Sequence, residues 1–251
     1  AAATPATVDA LTKAAGTEVR APVAHVLSRE LKLYFQRVVA VLMEQRAALP
    51  GASSAEGRDS LLDAVLHSLA TDVCVRQVLP YFAAFIASEV NRRLRDLPRL
   101  TALLQAVEAL LRNPHLEAQL EMYLHQLMPV LLTCVVGKRL CADPNVEDHW
   151  SLRDRAAALV AGVVAQYGGT YKTLRQRVTK TLSGALRDAK KPLTTHYGAV
   201  VGLSALGDRV VRALLLPEVP ALVERLDAAV DAAAAKGQPA AATAAVHCRL
   251  A

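Results

Sequence analysis

The sequence is poor in residues that cross-link or punctuate a chain. Its 251 residues include four Cys, twelve Pro and twelve Gly, and only 4% are aromatic, with a single Trp. Cys74, Cys134, Cys141 and Cys248 are too few and too scattered for a small disulfide scaffold, which points to a reducing compartment. Few Gly and Pro beside 53% hydrophobic residues exclude global disorder and collagen-like or coiled-coil character. Long apolar runs are missing too. The longest, about Val130 to Val136 and Leu79 to Ala87, fall well short of the ~18–20 residues that span a bilayer, so no membrane association is expected. Residues 1–24 have no basic segment joined to an apolar one and so do not form a signal peptide. They read as a linker or flexible N-terminal segment, and the absence of a starting Met suggests a piece of something longer. The net charge of +6 permits an acidic partner without naming one.

What is present is helical periodicity. Leu27, Leu31, Tyr34, Val38 and Val41, and again Leu61, Leu62, Val65, Leu66 and Leu69, recur at the three- and four-residue spacing that lays one apolar stripe along a helix. Alternating strand patterns are nearly absent. Polar or Gly/Pro breaks, among them 50–57, 143–148 and 191–192, divide the chain into about nine helices. These run roughly over 25–48, 58–70, 75–95, 98–112, 118–141, 149–167, 171–188, 193–206 and 209–232. Ser151 with Asp154 makes a capping box, with Asp148 competing for the same helix; Thr194 or Thr195 caps the helix of His196; Pro98 suits a first turn. Landmarks Pro80, Pro129, Gln176 and Pro220 recur at steps of 49, 47 and 44 residues. Two helices per period of that length is the pattern of HEAT or armadillo arrays. The fold class is therefore all-α, an alpha-alpha superhelix of about five helical pairs with the last incomplete. It spans 25–232, with 233–251 a flexible Ala-rich tail.

Enzyme motifs fail one by one. The stretch from Gly202 to Gly207 has one residue too many for a nucleophile elbow and no preceding strand, and 168–172 lacks the glycine spacing of a phosphate loop. Cys134, Cys141, His115, His125 and His149 have no zinc-site spacing, so the two cysteines read as small core knobs. No catalytic, cofactor or metal residue is assigned. The strongest electrostatic feature is the set Lys172, Arg175, Arg177, Lys180, Arg187, Lys190 and Lys191, facing the single acid Asp188. Three readings stand: docking of an acidic protein segment, an ordinary solvated face, or contact with a nucleic-acid backbone. A second cluster, Arg92, Arg93, Arg95 and Arg99, reads as cations at a helix end. Trp150, at a helix start beside a polar loop, is either an anchor in the stack or an exposed partner contact.

Several blocks carry a family resemblance. They are Tyr-Leu-His-Gln-Leu-Met-Pro (123–129), Leu-Leu-Thr-Cys-Val-Val (131–136), Lys-Arg-Leu-Cys (138–141), His-Trp-Ser-Leu-Arg-Asp (149–154), Arg-Val-Thr-Lys-Thr-Leu (177–182) and Lys-Pro-Leu-Thr-Thr-His-Tyr-Gly-Ala-Val-Val-Gly-Leu (191–203). With 27–35 and 79–82, they resemble the C-terminal HEAT-repeat domains of the sixth TBP-associated factor of TFIID, over about 25–230. Gln176 stands where that pattern has Pro, which alters one kink at most. The resemblance implies a non-catalytic nuclear scaffold that contacts other TBP-associated factors and TFIID subunits during pre-initiation complex assembly. SAGA-type complexes are further assemblies it implies. The family's histone-fold segment has no counterpart here. A generic HEAT adaptor of another complex, or DNA-backbone contact through the 172–191 patch, remains the alternative.

Overall fold

The computed structural model describes residues 27–43, 55–144, 146–236, 244 and 246–248. The expected linker at 1–24 and most of the 50–57 loop lie outside them. Eight helices follow in order: α1 (Arg29–Met43), α2 (Ala55–Thr71), α3 (Val75–Arg92), α4 (Leu97–Arg112), α5 (Glu117–Val136), α6 (His149–Tyr167), α7 (Lys172–Arg187) and α8 (Leu193–Ala205). A short α segment, Asp208–Val210, then passes through a π-helical stretch, Val211–Leu215, and a 3-10 turn, Leu216–Glu218, into α9 (Val219–Lys236). No strand occurs among the described residues.

The helices stack in two layers. In one, α1, α3, α5 and α7 lie against each other in turn; in the other, α2, α4, α6 and α8 do the same. Consecutive helices, α5 with α6 and α7 with α8 above all, pack between the layers. Among the described residues, four pairs and one further helix form the all-α HEAT superhelix that the 44–49-residue period predicts. The Pro landmarks fall in α3, α5 and α9, and Gln176 falls in α7. One continuous apolar core runs from Val38 to Cys248. A helix this apolar needs cover on more than one side, and the repeats on either side supply it. At the N-terminal end Phe35 packs on Phe82, ring centres 4.9 Å apart, with Tyr34, Tyr81 and Phe85 around them.

Several local expectations change. Asp148 caps α6, its Oδ1 accepting from the Trp150 and Ser151 amides at 3.1 and 3.3 Å; Asp154 instead accepts from the Tyr197 hydroxyl at 2.6 Å. Thr194 and Thr195 do not cap α8, since their hydroxyls donate to the carbonyls of Lys138 and Val136 beyond and at the end of α5. The helix expected over 118–141 stops at Val136, and that expected over 209–232 is interrupted ahead of Pro220. In the segment expected to be a loose tail, Val246–Cys248 are helical, Ala244 and Cys248 are buried, and His247 stacks on Trp150 at 4.5 Å.

Candidate protein-docking surface

Helix α7 is built with two faces. Val178, Leu182, Ala185 and Leu186 are buried, while Lys172, Arg175, Arg177, Lys180 and Arg187 are exposed, as are Lys190 and Lys191 in the loop that follows. The seven cations do not share one face. Arg177 lines a cleft between α7 and α5 with Met122, Met128, Leu132 and Tyr171. Arg175 lines a different hollow with Leu206, Asp208, Arg209 and Arg212. This follows from helix geometry, because two residues apart is about 200° around the axis. Arg187 is already engaged, its Nε donating to Glu218 Oε1 at 2.7 Å. The patch therefore lies around α7 and the loop after it, with Arg177 on the α5 side and Arg175 on the other. Arg209 and Arg212 extend it, and the sequence hid them because they lie more than thirty residues beyond Arg175.

Trp150 resolves to the anchor rather than the exposed contact. It is 9% exposed, stacked on His247 at 15° and edge-on to Tyr197 at 4.8 Å. Three members of the second arginine cluster are engaged within the fold. Arg92 and Arg93 hold Glu89 at 3.0 and 2.7 Å; Arg99 pairs with Asp96 at 3.0 Å and donates to the Met43 carbonyl that ends α1.

The central polar feature is Arg153, which does not stand out in the sequence of the 149–154 block. Arg153 is 1% exposed, and its guanidinium donates to Val135 O at 2.7 Å and to Gly137 O at 2.8 Å. With Thr195 on Val136 O at 3.0 Å and Thr194 on Lys138 O at 3.2 Å, four successive carbonyls at the end of α5 are satisfied by side chains of α6 and α8. The signal was present: Arg153 occupies the inward stripe of α6, beside Leu152, Ala156, Ala157 and Val160. An Arg on an apolar stripe must find acceptors. Burial lowers its pKa to about 10.

Burial also raises the Cys134 thiol to about 12, against the pull of Arg153, which leaves it an inert core group. Burial, then the charge of Arg153, lowers the His149 pKa to about 4. His196 is lowered by burial as well, and its Nε2 donates to Asp188 O at 3.1 Å across the α7–α8 turn. No group of three or more His, Cys, Asp or Glu suited to a metal ion occurs among the described residues. No single helix there is long and apolar enough to cross a membrane.

Comparison with known proteins narrows the identity. The TAF6 C-terminal HEAT repeat domain family matches residues 23–220. The chain is 43% identical over 221 residues to transcription initiation factor TFIID subunit 6 of Arabidopsis thaliana, covering 88% of this chain and 38% of that protein. It is 43% identical over 202 residues to the SAGA complex/transcription factor TFIID complex subunit Taf6 of Schizosaccharomyces pombe, covering 80% and 42%. Among solved structures, the TAF6 C-terminal domain from Antonospora locustae superposes with a TM-score of 0.63 at 28% identity, covering 78% of this chain and 88% of that one. The chain thus spans about two fifths of the length of these two curated relatives. A two-layered helical stack held at its elbows by buried polar side chains, matched along most of its length, places this chain in the family of TAF6 C-terminal HEAT repeat domains.

Proposed function

We propose that this domain is a non-catalytic scaffold that holds neighbouring subunits within a TFIID-type complex and so contributes to assembly of the RNA polymerase II pre-initiation complex in the nucleus. The observation that carries the reading is 43% identity to a TFIID subunit over 88% of the chain. The fold supports it: a continuous core leaves long outer helix faces free, and such arrays work as extended binding surfaces. The partners are other TBP-associated factors. The Schizosaccharomyces pombe relative is named for both SAGA and TFIID, and SAGA-type complexes are the second proposed setting.

Lys172, Arg175, Arg177, Lys180, Lys190 and Lys191 are the proposed docking cations. Crowding them adds repulsion that an acidic partner relieves, whereas an exposed ion pair contributes at most about 1 kcal/mol. Arg175→Glu, Arg177→Glu and Lys180→Glu combined leaves the fold intact, because surface changes cost within about 0.5 kcal/mol each. The triple variant is expected to melt within a few degrees of the parent and to lose co-precipitation of TFIID subunits from nuclear extract. Co-precipitation at parental levels with unchanged melting makes the patch a solvated face. Loss of duplex DNA binding with a steep salt slope, and no loss of protein partners, makes it a nucleic-acid contact.

A further inference from the structure

We propose that the cleft between α5 and α7 is a docking trough for a short amphipathic helix of a partner protein, which presents apolar residues to its floor and a carboxylate to Arg177. This rests on the protein-docking reading of the basic segment and gives it a shape. The trough has a volume of about 180 Å³. Its α5 wall runs from Glu121 to Leu132, eleven residues apart, so it is about 16 Å long, or three helical turns. Leu174 and Met128 line it, and Met122 and Tyr171 stand at its mouth 58% and 42% exposed. The Tyr171 hydroxyl donates to Glu121 O at 3.4 Å and closes one end. An unbranched thioether moulds to varied side chains, and a groove offering such groups to an apolar helix face is a recurring mode of peptide recognition.

Charge selects the partner's polar flank. The sixteen residues of α7 carry five cations and no acid, and Arg177, the one that lines the trough, makes no ion pair among the described residues. An incoming helix therefore needs Asp or Glu on its α7 side. A second copy of this chain is the weaker occupant. The exposed apolar stripe that runs from the 3-10 turn into α9, Leu216, Val219 and Val223, is broken by Pro217 and Pro220, and Glu218 beside it already holds Arg187. Docking of that stripe into the trough of another copy would also be a head-to-tail contact, which repeats from copy to copy unless its rotation closes a ring.

The chain has three Met, which makes the test direct. Met122 and Met128 line the trough, and Met43 ends α1 as an internal control. With methyl-labelled Met, a capped peptide of about fourteen residues, with Leu at i, i+4 and i+7 and Glu along one flank, is titrated to about 1 mM. The Met122 and Met128 methyl signals are expected to shift while Met43 stays. Replacing the Leu by Ala in the peptide is expected to abolish the shift. Arg177→Glu is expected to weaken binding about tenfold, and a Glu→Lys peptide to restore it. Silent Met122 and Met128, an Ala peptide as effective as the Leu peptide, or shifts produced by protein dilution alone would each overturn the proposal. If the trough is silent while the charge-reversed triple still loses TFIID subunits, the trough falls and the scaffold reading stands; if neither responds, both fall.

Discussion

At the scale of single residues, two helical glycines make opposite demands. A Cβ on Gly184 in α7 meets nothing within 4 Å, whereas a Cβ on Gly198 in α8 would sit 1.9 Å from the Val135 carbonyl oxygen that Arg153 holds. Gly184→Ala is therefore expected to stabilise by about 0.5–1 kcal/mol, the gain of Ala over Gly inside a helix. Gly198→Ala gains the same propensity but must push α8 away from α5. It is expected to lose about 1–3 kcal/mol net, as overpacked sites do. Thermal melting of the two variants should move in opposite directions, and a rise for Gly198→Ala would show that the α5–α8 approach is looser than described. The buried histidines set a pH dependence. Because burial and Arg153 lower the pKa of His149 to about 4, the unfolded chain takes up a proton that the folded chain refuses. Stability is then fully present above about pH 6.5 and falls as pH drops toward 4, by at most about 1.4 kcal/mol per pH unit. His196 is shifted in the same direction and adds to the loss. His149→Phe keeps a ring against Trp150 and cannot charge, so its melting temperature should vary less with pH between 6.5 and 4 than that of the parent. Profiles of equal steepness would contradict the assignment.

At the scale of elements, helix ends explain both what the sequence reveals and what it conceals. Apolar periodicity marks the helices, and the Pro steps mark their pairing, since both are local or nearly periodic signals. The ends are fixed by residues far along the chain. Arg99 reaches back to the end of α1, Asn113 donates to Leu69 O and Asp72 O at the end of α2, Arg153 closes α5, and Arg225 donates to Leu186 O in the last turn of α7. Each is a later side chain satisfying orphan carbonyls of an earlier helix, a debt that every α-helix carries. Periodicity alone extended α5 to 141 because nothing local shows Arg153 and Thr195 arriving at Val135 and Val136. The docking cations were legible as a charge run, but their division between two sides of α7 and their extension by Arg209 and Arg212 were not. Where a cap is local, as at Asp148, a simpler test applies. Ser151 hydrogen-bonds this carboxylate and, with the Trp150 and Ser151 amides, holds its pKa down. Asp148→Ala should cost about 0.5–2 kcal/mol, while Asp148→Asn should retain most of that stability. Equal losses from the two variants, measured by denaturant unfolding, would remove the cap from the account.

At the scale of the whole molecule, a solenoid is stable through contacts between neighbours, so its ends are its weak points. The described C-terminal residues bear on this. Ala244 and Cys248 join the core, and His247 lies flat on Trp150 at the start of α6, with Tyr197 of α8 edge-on to both rings. A segment that follows the last helix thus covers an aromatic junction between the third and fourth pairs. It lies against the start of α6 and against α8, and so couples the end of the array to its third and fourth pairs. Because Trp150 is the only Trp, its emission reports on this junction without interference from another indole. Truncation after Lys236 removes, among the described residues, the stacked imidazole and the buried side chains of Ala244 and Cys248. The expected result is a red-shifted Trp emission and a lower melting temperature, with the helical signal of the pairs retained. Full burial of an apolar side chain contributes about 1.5–3 kcal/mol for the larger ones and less for Ala and Cys, so the loss should amount to a few kcal/mol rather than collapse. His247→Ala in the full chain separates the stack from the rest of the segment, and should shift the emission while costing less stability than the truncation. Unchanged emission in both variants would mean that Trp150 is covered by α6 and α8 alone, and that the segment contributes nothing to holding the middle of the array together.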